Sequence, residues 1–175
     1  MKPINLTQRM AVPADLTEIE CLIRELAAYE KMSDQVSFTT ETLYDSLFIK
    51  KQAEVLLVST EESIVGYAIF FTSFSTFVGA GCLYLEDLYV RPAYRKMGIG
   101  KSLFVSLAAI AKKRAIRRLD FTCLKWNQSS LDFYEVIGAR IMDEWHLLRL
   151  EEEALLRLVD LTAPIPWAKD SSYFR

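Results

Sequence analysis

The chain has 175 residues, of which 51% are apolar and 25% charged, a composition that supports one soluble globular domain with a sizeable core. Its net charge of -2 excludes a molecule held to nucleic acid by overall basicity. No apolar run approaches the roughly 20 residues of a membrane span, and Met1-Lys2-Pro3-Ile4-Asn5 leads into no signal-peptide core, so the cytoplasm is the expected compartment.

Residues 4–10 read as a first short strand. Pro13-Ala14-Asp15 is a helix start, after which Leu16, Ile19, Leu22, Ile23, Leu26 and Tyr29 recur at helical spacing. A second helix is predicted from Thr40 to Phe48. Val55–Val58 and Ile64–Phe71 read as strands joined by a turn at Glu61-Glu62-Ser63. The Ser/Thr/Gly-rich stretch 72–81, with Phe74 and Phe77 embedded in it, reads as a loop. Cys82–Val90 is a long strand stopped by Arg91-Pro92. Gly98–Ala115 is a helix with Ile99, Leu103, Leu107, Ile110 and Ala111 along one side, and Leu119–Leu124 is the next strand. Ser129–Ile137 is a short helix closed at Gly138. Trp145–Leu150, which holds the single histidine His146, reads as a last strand, and Glu151–Val159 as a further helix. The aromatic-rich tail from 162 to 175 receives no role.

Strand, loop, helix and strand in the middle of the chain predict a right-handed crossover with a parallel pair. The N-terminal half supplies antiparallel strands. The expected fold is mixed α/β: a largely antiparallel sheet with a central parallel pair, flanked by helices, in a single domain over 1–175 whose core spans about 4–150. Cys21, Cys82 and Cys123 lie far apart without a CxxC pair, which indicates neither a zinc site nor a disulfide framework. Their apolar neighbours read as three buried thiols, and no metal is expected. The basic run Lys112-Lys113-Arg114 with Arg117-Arg118 reads as a solvated helix end, where cations are favoured, or as a contact for ligand phosphates or a partner.

The stretch from Arg95 to Phe104 carries the strongest chemical signal. Gly100-Lys101-Ser102 copies the end of a nucleotide-binding P-loop, but Arg95 occupies the place of that motif's first glycine. The dinucleotide GxGxxG pattern is absent too. What remains is a helix N-terminus with unpaired N–H groups and a dipole that favours anions. Gly98 and Gly100 leave room for phosphate oxygens, and Arg95 and Lys96 add positive charge.

Arg95-Lys96-Met97-Gly98-Ile99-Gly100 resembles the Arg/Gln-x-x-Gly-x-Gly/Ala signature of the GNAT superfamily of acyl-CoA-dependent N-acetyltransferases. "ELAAYEKMSDQV" (25–36), "LYLEDLYV" (83–90) and "WNQSSLDFYEVIGA" (126–139) resemble the branch of spermidine/spermine and thialysine N-acetyltransferases, over roughly residues 10–150. The resemblance implies the GNAT fold, acetyl-CoA as co-substrate, an amine acceptor and a homodimer. It implies that Arg95, Lys96, Met97, Gly98, Ile99, Gly100, Lys101 and Ser102 hold the coenzyme A pyrophosphate. The backbone of Leu88, Tyr89 and Val90 then receives the pantetheine arm where the parallel strands splay, with Asn127, Ser130 and Tyr134 completing the cofactor set.

An ammonium with a pKa of about 10 must lose a proton before it attacks a thioester. Glu86 is the candidate base. In an unbroken strand it shares a face with Tyr84, Leu88 and Val90, and an apolar face raises a carboxyl's pKa. Asp87 points the other way unless a bulge intervenes, and serves either to attract the cationic substrate or to pair with a lysine. Tyr134 matches the family's general acid, which protonates the departing thiolate. Tyr29 and Glu30 match amine-pocket positions, with Ser75, Thr76 and Phe77 as the opposite wall. Polyamine-specific relatives carry Asp-Pro-Trp where this chain reads Phe74-Ser75-Thr76-Phe77, which tilts the expected acceptor towards a lysine-like or thialysine-like amine. Polyamine acetylation, protein N-acetylation and a non-catalytic CoA-binding module are the alternatives, and an NTPase is excluded by the incomplete P-loop.

Overall fold

A computed structural model describes residues 5–161 of the chain. They fall into two compact units, one ending at Leu124 and one beginning at Lys125.

The first unit is built on a five-stranded sheet in the order β1-β2-β3-β4-β5. The strands are β1 (Thr7–Met10), β2 (Glu54–Ser59), β3 (Ile64–Ser75), β4 (Ala80–Val90) and β5 (Leu119–Phe121). All neighbours are antiparallel except β4 and β5, which are parallel and joined through α3 (Ile99–Lys113). The mixed sheet with one parallel pair is the architecture the sequence implies. Helices α1 (Leu16–Glu30) and α2 (Thr40–Tyr44) precede β2.

Both faces of the sheet are covered. Leu56, Val58, Phe70, Leu83 and Leu85 pack with Ile99, Leu103 and Leu107 of α3. Val55, Leu57, Tyr67, Ile69 and Tyr89 pack on the other side with Ile19, Leu22 and Leu26 of α1 and with Leu47. This double burial explains why Val55-Leu56-Leu57-Val58 is continuously apolar rather than alternating. Cys82 is buried in this sheet, whereas Cys21 is exposed and Cys123 half-buried. The expectation of three buried thiols therefore holds only at Cys82; it is met in part at Cys123 and fails at Cys21, which α1 turns away from the side carrying Ile19, Leu22 and Leu26.

Several boundaries differ from the sequence reading. The stretch 72–81 is no loop: β3 and β4 stay paired from Thr72↔Leu83 out to Ser75↔Ala80. Thr and Phe are good strand residues once a partner lies alongside. The turn is confined to 76–79, closed by the Gly79 N–H on the Ser75 carbonyl at 2.8 Å, with Gly79 at φ 67. The helix expected from Thr40 to Phe48 starts on a capping box, Thr39 and Thr42 bonding each other's backbone N–H. From Asp45 to Ile49 it widens into a π-helical turn, with the Lys50 N–H on the Asp45 carbonyl at 2.7 Å. Strand β5 stops at Phe121 rather than Leu124.

The second unit carries α4 (Gln128–Val136) and α5 (Glu152–Leu161). Gly138, at φ 89, follows α4 as expected. Trp145–Leu150 forms no strand, and Trp145, Leu147, Leu148 and Leu150 are exposed. Alternation alone does not make a strand, since its backbone groups need a neighbour's to pair with. The expected tail from 162 lies outside the described residues.

Leu103 has no solvent exposure at the centre of the α3 cluster. Leu103→Ala is expected to remove about 2–5 kcal/mol of unfolding free energy. A urea titration followed by circular dichroism checks this through the midpoint.

Candidate active site

One extra residue shapes the site. Along β4, Asp87 pairs with Ile69 but Leu85 pairs with Phe70, so Glu86 has no partner on β3. This is a β-bulge. Leu83 and Leu85 before it face α3, and Leu88 and Val90 after it pack against the same cluster. The strand is therefore broken at Glu86, and the unbroken alternation expected of that residue does not hold. Glu86 sits exposed on the bulge. Its neighbour Asp87 is the carboxyl that lies half-buried, on the α1 side with Tyr67 and Tyr89.

The Tyr67 hydroxyl donates to Asp87 Oδ2 at 3.1 Å. Tyr67 is wholly buried and its phenol is pushed well above its usual pKa, first by burial and then by the Asp87 charge. Burial pushes Asp87 up to about 6, against an ordinary value of 3.8. The charges of Glu86 and Glu30 push the same way, and the Tyr67 hydrogen bond partly opposes them. Glu30, in the last turn of α1, is also raised by burial. Cys123 is raised by burial and then by Glu30. Among the described residues no ion pair neutralises Glu30, Glu86 or Asp87.

The splay expected beside this group is present. Strand β4 pairs with β5 only from Leu83 to Leu85, so Leu88, Tyr89 and Val90 keep β3 on one side and no strand of the described sheet on the other. After the strand, Pro92–Tyr94 makes a single turn, and the backbone enters the left-handed region at Lys96 (φ 62) and Gly98 (φ 81). Gly98 is the N-cap of α3, whose first main-chain bond runs from the Ser102 N–H to the Gly98 carbonyl at 2.9 Å. The N–H groups of Ile99, Gly100 and Lys101 are left at the helix end. A Cβ at Gly98 would meet nothing within 4 Å, and one at Gly100 only Leu88 Cδ2 at 4.0 Å. The turn is open, with Lys96, Met97 and Lys101 exposed around it and Ile99 anchored in the core.

Two residues of the expected phosphate set are occupied within the protein. The Ser102 hydroxyl donates to the Ile99 carbonyl at 2.8 Å and accepts from Gln8 at 2.8 Å, fastening α3 to β1. The Arg95 Nε donates to the Val90 carbonyl at 2.9 Å, and its guanidinium lies 4.5 Å from the Tyr29 ring centre. Arg114 of the basic run pairs with Glu54, and Arg118 with Asp120, which fits a helix end.

Not every expected pocket residue joins the acidic group. Ser75 stands opposite Ala80, seven residues along β4 from Asp87, or about 20 Å of strand. Ser75 is buried there, and Phe77 at the hairpin tip is 92% exposed. Within one chain the structure brings Tyr29, Glu30, Glu86 and Asp87 to one end of the sheet and leaves Ser75, Thr76 and Phe77 at the other.

In the second unit, Asn127 caps α4, its side-chain oxygen accepting the Ser130 N–H at 3.4 Å. Tyr134 lies on the same helix with its ring 5.5 Å from that of Phe133. Sequence reasoning missed Tyr67, which lies in the apolar run Ile64–Phe71 and carries no mark beyond its lone hydroxyl.

An open helix-start turn and a carboxyl raised to about 6 lie at opposite ends of one splayed strand segment. Residues 19–139 match the Acetyltransferase (GNAT) family. The chain belongs to that family and is an N-acetyltransferase. It is similar to thialysine N-epsilon-acetyltransferase of Bos taurus, at 38% identity over 162 residues covering 86% of this chain and 95% of the relative. It is also similar to an L-ornithine N5-acetyltransferase of Arabidopsis thaliana, at 24% identity covering 84% of this chain and 85% of that protein. The fold matches an integron cassette protein of V. cholerae with a TM-score of 0.72 at 24% identity, covering 88% of this chain and 97% of that one.

Carbon-13 NMR of the labelled aspartates should show Asp87 titrating near pH 6. Tyr67→Phe removes a bond that stabilises the anion and should move that midpoint up. Glu30→Gln removes a repelling charge and should move it down.

Proposed function

We propose that the enzyme transfers the acetyl group of acetyl-CoA to the primary amine of a small lysine-like molecule, thialysine first among them. The observation that carries this reading is Asp87, a carboxyl pushed up to about 6 and set between Tyr67, Glu30 and Glu86. Similarity to enzymes named for thialysine and for ornithine supports an acceptor that bears both an amine and an amino-acid end.

Coenzyme A brings the activated acetyl thioester. The residues present fit its diphosphate: three N–H groups at the start of α3, an open turn at Gly98 and Gly100, and Lys96 and Lys101 for charge. The backbone edge at Leu88, Tyr89 and Val90, which has no described strand beside it and whose Val90 carbonyl is taken by Arg95, suits the peptide-like pantetheine arm, and an N–H group there can polarise the acetyl carbonyl. Glu30 and Glu86 draw the ammonium in, with Tyr29 beside them. Asp87, whose proton affinity is matched to neutral pH, accepts the proton as the amine becomes nucleophilic. Tyr134 returns a proton to the thiolate, with Asn127 and Ser130 on the arm. Glu86, acting through a water, is the other candidate acceptor. The three carboxylates also favour a second reading, a polyamine acceptor with several ammonium groups. We place the enzyme in the cytoplasm as a homodimer.

Release of free thiol from acetyl-CoA over a panel of thialysine, lysine, ornithine and spermidine tests the reading. Thialysine is expected to lead, spermidine in first place would replace it with the polyamine reading, and no release with any of the four would end the small-amine reading. In the wild type kcat/KM is expected to rise through about pH 6, because the deprotonated carboxylate is the active form. Asp87→Asn should lose that limb and about 100-fold in rate. If Glu86→Gln loses the limb and Asp87→Asn keeps it, the roles are exchanged. Tyr134→Phe should lower kcat about 10-fold or more while CoA affinity stays unchanged.

A further inference from the structure

The sheet is not the only support for the loop ahead of Gly98. Two arginines, one on each side of the Pro92–Tyr94 turn, reach back to α1. Arg91 Nε lies 3.1 Å from both oxygens of Glu25. Its Nη2 meets Glu25 at 2.7 Å and Glu18 at 2.8 Å, and its Nη1 donates to the Ile64 carbonyl at 2.7 Å. Such a bidentate, half-buried guanidinium is a fixed anchor.

Arg95 is held differently. Its guanidinium lies over Tyr29 at 4.5 Å and near Tyr89 at 5.6 Å from the ring centres. Tyr29 is 36% exposed, and a stack at a surface of that kind is weak enough for a ligand to bias. Glu18, Glu25 and Tyr29, spaced by seven and four, lie along one side of α1. The helix that ends in Tyr29 and Glu30 is thus the helix to which the loop is tied. Nothing in the acetyl-transfer chemistry itself requires these contacts.

We propose that Arg91 and Arg95 are positioning residues that couple the two substrates. Occupation of the Gly98–Gly100 turn holds Arg95 on Tyr29 and orders the amine-bearing end of α1, and an amine bound there tightens CoA in return. Such coupling is reciprocal by thermodynamic necessity. The inference rests on the proposed activity for its two ligands.

Calorimetry on the whole protein tests it, with CoA titrated in the absence and presence of saturating thialysine. CoA lacks the acetyl group, so no turnover interferes. Thialysine is expected to tighten CoA about 5-fold or more in the wild type. Arg95→Gln, Arg95→Lys and Tyr29→Leu should bring that factor to about one, because each removes the planar stack. Tyr29→Phe keeps the ring face and should keep the coupling. In turnover, Arg95→Gln should raise KM for the amine more than it lowers kcat. In the ligand-free protein, Arg91→Gln should speed hydrogen exchange at the amides of 94–100. If that variant fails to fold, Glu18→Gln, which removes one of the two carboxylates, serves for the same measurement.

An unchanged factor in Arg95→Gln would overturn the proposal. So would a loss in Tyr29→Phe equal to that in Tyr29→Leu. Unchanged exchange would remove Arg91 from it. CoA binding without any coupling in the wild type would sink this inference alone, whereas absence of CoA binding would sink the acetyl-CoA reading with it.

Discussion

A single unpaired residue organises the end of the sheet beside Tyr29 and Glu30. Because Glu86 has no counterpart on β3, β4 changes the side it shows to α3 at that point. Were Glu86 paired as an ordinary ladder residue, the alternation of Leu83 and Leu85 would run on, and Asp87 would point towards α3 rather than towards Tyr67. The bulge therefore does two things at once. It carries a carboxyl under the end of α1, where burial and neighbouring charge raise its proton affinity, and it leaves Glu86 projecting into solvent beside it. The same stretch of β4 has already parted from β5. Acid group and open edge thus lie next to each other on the same stretch of β4.

Much of this was readable beforehand. The helical spacing of Leu16 to Tyr29 and of Ile99 to Leu107 marks α1 and α3 because each has one buried side. The glycine turn was legible since few other reasons place two glycines at a helix start after a strand. The bulge was legible in principle: Leu83 and Leu85 are followed by Leu88 and Val90, so the apolar positions change parity between them. Tyr84 and Tyr89 mask that change, being large and tolerant of either face.

Other features could not be read locally. The hairpin beyond Thr72 depends on β4 lying alongside, and its composition of Ser, Thr and Gly is that of a loop. The alternation from Trp145 to Leu150 has the pattern of a strand but no partner in the described sheet, so pattern and structure part company. The role of Tyr67 needs the third dimension, since only the fold sets its hydroxyl against Asp87. Arg95 looks like a phosphate ligand in sequence and proves to be engaged with Val90 and Tyr29.

The turn before α3 also sets limits on how the chain can drift in evolution. Lys96 is a non-glycine residue at φ 62, a backbone state that costs an ordinary side chain roughly 1–2 kcal/mol. Valine or isoleucine would suffer most there. Glycine or asparagine would relax the main chain but forfeit a cation beside an anion turn. Few residue types satisfy both demands, so position 96 has a narrow repertoire for a reason that is half conformational and half electrostatic.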